Sequence, residues 1–124
     1  MSFKIEKNDN YAVVKFQVRR LNSSISPSIK TELKTLNSNG FKNIIFDMTN
    51  VRFCDSLGLT LILITYHLCK TSNGKFVITG LQEHVKKTIA ITQLDSILTI
   101  ANYLPDALLE MFGASPAKVN STIN

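Results

Sequence analysis

Alternating hydrophobic and polar residues at the start of the chain predict two β-strands. The alternation covers Phe3 to Lys7 and Tyr11 to Val18. The residues between them, Asn8 to Asn10, tolerate the backbone angles of a tight turn. Strands joined by so short a turn pair antiparallel, so we expect a hairpin at the edge of a sheet.

The next segment predicts a helix followed by a buried strand. Ser26 is placed as the N-cap and Pro27 at the first helical position, and Asn39-Gly40 ends the helix. Its expected core face consists of Ile29, Leu33 and Leu36. The apolar run from Asn43 to Asp47 predicts a strand inside the sheet, with Asp47 organising the loop that follows.

The longest hydrophobic run, Leu57 to Cys69, predicts a central helix after a loop that carries Val51 and Phe53. Asp55 is the predicted N-cap, because its carboxylate can accept hydrogen bonds from the free N–H groups of the first turn. The helical spacing places Leu57, Leu61, Ile64 and Leu68, widened by Ile62 and Tyr66, toward the sheet. The same spacing gives a more polar stripe of Ser56, Thr60, Leu63 and His67.

The rest of the chain completes an α/β pattern. Lys75 to Thr79 predicts a strand, so the order from Asn43 implies a right-handed parallel crossover. We further expect a helix over Gln82 to Ala90, a short edge strand over Thr99 to Ala101 and a last helix over Leu104 to Phe112. The prediction is one α/β domain over residues 1–112, a mixed four- to five-stranded sheet covered by about four helices. Residues 113–124 are small and polar and predict a disordered tail.

Composition narrows the class of protein. The net charge is +5, but the basic residues are scattered, which favours a solvated surface with a mild preference for acidic partners over a nucleic-acid surface. A membrane span needs about 20 apolar residues, and the run from Leu57 to Cys69 is shorter. The first residues of the chain lack a signal-peptide pattern. We therefore expect a cytoplasmic protein without membrane insertion. The cysteines, Cys54 and Cys69, form no CxxC motif, so we expect reduced packing residues and no metal or cofactor.

Ser56 and Gly58 occupy the first turn of the central helix. A phosphate on Ser56 would meet unpaired N–H donors and the positive end of the helix dipole. A small residue beside a capping Asp is nevertheless commonplace, and without further evidence regulatory phosphorylation is the less favoured interpretation. Gly58 is costly inside a helix, which indicates either close approach of another backbone or simple packing against a neighbouring element.

A resemblance to a known family decides between these interpretations. Ile44 to Asp47, followed by Phe53-Cys54-Asp55-Ser56-Leu57-Gly58-Leu59, resembles the signature of STAS domains, the family of anti-sigma factor antagonists. Similar segments continue at Asn73 to Gly80 and Val85 to Leu98, so that the resemblance covers roughly residues 3 to 112. The serine that the family phosphorylates corresponds to Ser56. The chain departs from the family at Leu57, where the motif has a second serine, and at Arg19-Arg20-Leu21-Asn22, where the family has Gly-Glu-Leu-Asp.

The resemblance implies a protein-binding switch that regulates transcription. The unmodified chain would bind an anti-sigma factor that is also a serine kinase, and phosphorylation of Ser56 would end the binding until a phosphatase removed the phosphate. The expected partner-binding residues are Asp55, Ser56, Leu57, Gly58, Thr60, Leu63, His67 and Asn22. The alternative is a STAS scaffold or regulatory subunit of a larger assembly, such as a lipid-transport ABC system or a stress-signalling complex.

An enzyme of the serine-esterase kind is the least favoured possibility. Ser56 and His67 lie three helical turns apart, roughly 16 Å at 1.5 Å per residue, and cannot form a dyad. His84 lies in a separate helix, and no nucleophile-elbow pattern surrounds Ser56. A Walker loop and a dinucleotide fingerprint are also absent from the sequence. We expect no catalytic activity.

Overall fold

The computed structural model describes residues 2–22 and 26–113, apart from the side chain of Ser26. The predicted tail of residues 113–124 lies outside the described residues, apart from Gly113. The strands of the described part are β1 (Phe3–Lys7), β2 (Ala12–Phe16), β3 (Arg20–Leu21), β4 (Ile44–Asp47), β5 (Phe53–Cys54), β6 (Phe76–Thr79) and β7 (Thr99–Ala101). The helices are α1 (Ser26–Ser38), α2 (Ser56–Thr71), α3 (Glu83–Ile91) and α4 (Leu104–Phe112), with a 3-10 turn at Leu94–Ser96. None of these helices is long and apolar enough to cross a membrane.

A five-stranded mixed sheet forms the centre of the fold, in the order β1-β2-β4-β6-β7. The hairpin of β1 and β2 is antiparallel, as predicted, and places β1 at the edge. The remaining neighbours, β2 with β4, β4 with β6 and β6 with β7, are parallel. The prediction of β4 as an interior strand is therefore confirmed, and β2 ends two residues earlier than the alternation suggested.

Helices cover both faces of this sheet. Phe46 of β4 and Ile78 of β6 point into a large core that also holds the buried side chains of α1, α2 and α3. Ile45 and Val77, the alternate residues of the same strands, contact the buried residues of α4 on the other face. Because successive side chains of a strand point to opposite faces, two buried faces require the continuous apolar runs that β4 and β6 show.

A second, two-stranded sheet was not predicted. In it β3 pairs in parallel with β5, so that Arg20 lies opposite Phe53 and Leu21 lies opposite Cys54. The sequence predicts a loop at Phe53, because a strand of two residues is too short to show alternation. The first helix also differs slightly, since α1 begins at Ser26 itself, the residue predicted as its N-cap.

The buried face of α2 is rotated from the predicted one. The buried residues are Gly58, Leu61, Ile62, Thr65 and Cys69. Leu57 is 49% exposed, which corrects its assignment to the core, and Ile64 and Leu68 are only half-buried. The rotation became possible because Gly58 has no side chain and because the buried Thr65 hydroxyl donates to the Leu61 carbonyl at 2.9 Å. In the polar stripe, Ser56, Thr60 and His67 are exposed and Leu63 is half-buried.

Candidate functional site at the start of helix α2

The loop between β4 and β5 is held by Asp47. Its Oδ1 accepts hydrogen bonds from the Thr49 backbone N–H at 3.0 Å and from the Thr49 hydroxyl at 2.6 Å. The Thr49 carbonyl in turn accepts a hydrogen bond from the Gln82 side chain. Asp47 therefore organises the loop, as the sequence predicted, and links it to the start of α3.

The short β3–β5 sheet leads the chain into α2. The Arg52 and Phe53 N–H groups donate to the Arg19 carbonyl at 2.8 and 3.0 Å. One step further along, the Asp55 N–H donates to the Leu21 carbonyl at 3.4 Å. This pairing sets the residue after Leu21, the half-buried Asn22, beside the start of the helix. Two segments distant in sequence thus meet at the first turn of α2.

Asp55 is the N-cap of α2, as predicted. Its backbone is extended, with φ −92° and ψ −173°, and its Oδ1 accepts from the Leu57 and Gly58 N–H groups at 3.0 Å each. The cap satisfies two of the free donors of the first turn. Ser56 follows as the first helical residue, and its side chain is exposed. The geometry presents a hydroxyl to solvent at the positive end of a 16-residue helix.

Gly58 packs directly against a backbone, which decides between the two explanations that its sequence position allowed. A Cβ at this position would collide with the Leu21 carbonyl oxygen and would lie 2.6 Å from the Cys54 Sγ. Glycine therefore lets the first turn of α2 lie against the β3–β5 sheet. This contact fixes the position of Ser56 relative to Asn22.

The structure divides the predicted partner-binding residues into two groups. Asp55, Ser56, Leu57 and Gly58 form the first turn, and the β3–β5 pairing brings Asn22 to it. The second group extends along the helix and consists of Thr60, Leu63 and His67. The His67 ring packs edge-on against Tyr66, with ring centroids 5.2 Å apart, and lies three turns from Ser56.

A stack of side chains next to this first turn is not evident from the sequence. The Arg20 guanidinium lies over the Phe53 ring, 4.6 Å from its centroid. The His84 ring packs against the same Phe53 ring at 4.9 Å in an edge arrangement. The stack joins β3, β5 and α3. Its only sequence signal was the adjacent pair Arg19-Arg20, which gave no indication of an aromatic partner.

Cys54 and Cys69 are buried free thiols, in agreement with their predicted packing role. Burial raises the pKa of Cys54 to about 12 from 9.0, with a further contribution from the negative charge of Asp55. Burial likewise raises the pKa of Cys69 to about 12, although a hydrogen bond with the Ile44 backbone opposes the shift. Within residues 2–22 and 26–113, no three His, Cys, Asp or Glu side chains are placed to share a metal ion.

The first prediction concerns the packing of Gly58. Alanine normally stabilises a helix interior by about 1 kcal/mol relative to glycine. Here we expect Gly58→Ala to lower the free energy of unfolding by about 1–3 kcal/mol, because the methyl group collides with the Leu21 carbonyl and the Cys54 Sγ. Urea unfolding measures the change. The control is Thr60→Ala at an exposed position of the same helix, which should stay within about 0.5 kcal/mol of the native protein. A stabilising Gly58→Ala substitution would contradict the close contact.

The second prediction concerns the thiols. Because the pKa of each is about 12 in the folded protein, both stay protonated at pH 8 and should react with Ellman's reagent at least about a hundredfold more slowly than in urea. The folded state holds these protons to higher pH than the unfolded state does. The free energy of unfolding should therefore fall as the pH rises from about 9 toward 12. Single Cys54→Ala and Cys69→Ala variants assign the rates, and fast labelling of either native thiol would disprove its burial.

Comparisons with known proteins agree with this architecture. The family model of the STAS domain matches residues 2–107. An anti-sigma factor antagonist from Mycobacterium paratuberculosis has a similar structure, with 21% identity, a TM-score of 0.77 and coverage of 88% of this chain and 92% of that one. The anti-sigma factor antagonist SpoIIAA in its unphosphorylated form matches with 18% identity, a TM-score of 0.78 and coverage of 92% and 99%.

The same fold has also been determined in a phosphorylated protein. The Bacillus cell fate determinant SpoIIAA in its phosphorylated form matches with 15% identity, a TM-score of 0.70 and coverage of 87% of this chain and 96% of that one. At these identities the structural matches establish the fold alone. The family model spans most of the chain, including both sheets and α2, and on that ground this chain belongs to the STAS domain family.

Proposed function

We propose that the chain is an anti-sigma factor antagonist switched by phosphorylation of Ser56. Unmodified, it binds an anti-sigma factor that is also a serine kinase and so releases the sigma factor for transcription. Phosphorylated, it lets the partner go, and a phosphatase restores binding. The chain itself carries out no catalysis in this cycle.

The observation that carries this proposal is the exposed Ser56 hydroxyl on a capped first turn. Asp55 and the Gly58 contact hold that turn in place without using the hydroxyl, so a kinase can reach it. Leu57, 49% exposed, lies beside it and offers an apolar contact that a docked partner would cover. Structures of SpoIIAA in both forms support the proposal, since a protein of this fold exists phosphorylated and unphosphorylated.

Phosphate would act on the interface more than on the fold. It brings a charge of about −1.5 to −2 at neutral pH. At an exposed helix N-terminus this charge meets the favourable end of the dipole, so the folded state tolerates it. At the centre of a docked surface the same charge must lose its water, which costs several kcal/mol unless the partner supplies a cation. We therefore expect binding to fail while folding is preserved.

The third prediction tests the switch. Ser56→Ala should bind the anti-sigma factor like the native chain and resist phosphorylation. Ser56→Glu should weaken binding only in part, because it brings about one charge where phosphate brings nearly two. The partner is isolated from the native host by affinity capture with wild type and Ser56→Glu, identified by mass spectrometry, purified and titrated by calorimetry. Phosphopeptide mapping after incubation with the kinase checks the site.

The matched control for the switch is Ser96→Ala, which removes another exposed serine hydroxyl far along the chain. It should change neither phosphorylation nor affinity. If Ser56→Glu binds as tightly as wild type and no kinase-dependent phosphate appears on Ser56, the switch is disproved. The chain would then act as a STAS scaffold or regulatory subunit of a larger assembly.

The fourth prediction separates the docking surface from the core of α2. Leu57→Ala and Leu63→Ala should weaken partner binding with little loss of stability, because Leu57 is half-exposed and Leu63 only half-buried. Leu61, 1% exposed, is the control: Leu61→Ala should cost about 2–5 kcal/mol of stability. Thermal melts and calorimetry on the same samples distinguish the two effects. Unchanged affinity in both exposed variants would place the interface elsewhere.

A further inference from the structure

Three arginines lie in or directly before the strands of the two-stranded sheet that precedes Ser56: Arg20 is in β3, Arg19 comes just before it, and Arg52 comes just before β5. Arg20 pairs with Phe53 across the β3–β5 sheet, and the Arg52 N–H donates to the Arg19 carbonyl at 2.8 Å. All three arginine side chains are exposed. A shallow cavity of about 460 Å³ opens between Val18, Arg19, Arg20, Asn22 and Phe53. We call Arg19, Arg20, Arg52 and Phe53 the arginine surface.

The arginines of this surface form no ion pair within the described part of the chain. The ion pairs found there join Glu6 to Lys4 and Lys15, on β1 and β2, and none involves an arginine. Asp55, the acidic residue nearest in sequence to Phe53, accepts from the N–H groups of the first helical turn through its Oδ1 and makes no ion pair with an arginine. The guanidinium groups therefore remain available to an external anion.

One of these guanidinium groups is held in position before any partner arrives. Arg20 lies over the Phe53 ring at 4.6 Å, and His84 supports that ring from α3 at 4.9 Å. A cation over an aromatic face is attracted by the ring, and a planar guanidinium held in this way loses less side-chain entropy when it binds a carboxylate. The surface is thus preorganised for a planar anionic group.

We propose that the arginine surface binds an acidic segment of the partner protein. The inference rests on the proposed function, because it names the chemistry of the partner that docks beside Ser56. Two or more carboxylates would pair with the guanidinium groups, and Arg20 could hold one in a bidentate arrangement. Nucleic acid fits less well, because stacking of bases needs a free aromatic face and the Phe53 ring already contacts the Arg20 guanidinium and the His84 ring.

The location of this surface also explains why phosphorylation of Ser56 would weaken partner binding. Phe53 and Ser56 are three residues apart, so their Cα atoms are separated by at most about 11 Å. That distance is close to the screening length of about 8 Å at physiological salt. A phosphate on Ser56 would therefore repel the acidic segment and compete with it for the arginines. Phosphorylation would weaken the same contact that recruits the partner.

Charge reversal with a defined probe tests the inference. A fluorescein-labelled polyglutamate peptide is titrated with the full chain at low salt, and fluorescence anisotropy reports binding. We expect Arg20→Glu and Arg52→Glu each to weaken binding by about tenfold, and added salt to weaken binding of the native chain. The control is Lys75→Glu, an identical charge change just before β6, at the end of the sheet opposite the β4–β5 loop. It should stay within about twofold of wild type. Thermal melts verify that every variant is folded.

Three results would overturn the inference. They are no binding of polyglutamate by the native chain, equal losses in Lys75→Glu and the arginine variants, and tighter binding of a single-stranded oligonucleotide through the same arginines. These failures are distinct from failure of the proposed function. If Ser56 still controls binding of the anti-sigma factor while Arg20→Glu and Arg52→Glu leave that binding unchanged, only the arginine surface is refuted. If polyglutamate binding follows the arginines but Ser56 controls no partner, only the switch is refuted.

Discussion

The contact between Gly58 and the Leu21 carbonyl is the constraint on which the candidate site depends. A side chain at position 58 would push α2 away from the β3–β5 sheet, and the Cys54 Sγ leaves no space to accommodate the shift. The carbonyl that Gly58 approaches also accepts from the Asp55 N–H. One peptide group of β3 thereby positions both the cap and the first turn of α2. Ser56 is held at a defined place by its neighbours, although its own side chain faces solvent.

Local patterns predicted those parts of the fold that local sequence determines. The hairpin follows from alternation, β4 follows from an apolar run, and the Asp55 cap follows from a carboxylate placed directly before a hydrophobic helix. The pairing of β3 with β5 joins residues more than thirty positions apart and leaves only two residues in each strand. Periodicity cannot detect so short a segment, because its stability comes from the tertiary contacts on either side.

The difference between local patterns and tertiary contacts also explains which features of the site and of α2 the sequence did not predict. Hydrophobicity placed Leu57 in the core, yet Gly58 and Thr65 are buried instead, because backbone approach and an internal hydrogen bond can replace apolar area. Asp55 and Ser56 were found because they are adjacent in the sequence. The stack of Arg20, Phe53 and His84 was not found, because its members come from three elements that only the folded chain brings together.

The capping geometry also affects how accessible a phosphate on Ser56 would be to a partner. A helix N-terminus attracts an anion partly through its free N–H groups, but Asp55 already accepts from two of them, those of Leu57 and Gly58. A phosphate on Ser56 would find these donors occupied and a carboxylate beside it, so repulsion would direct it outward. Its charge would then lie in solvent, next to the arginine surface and to any docked protein. The interaction that stabilises the first turn is thus what would keep the phosphate available for signalling.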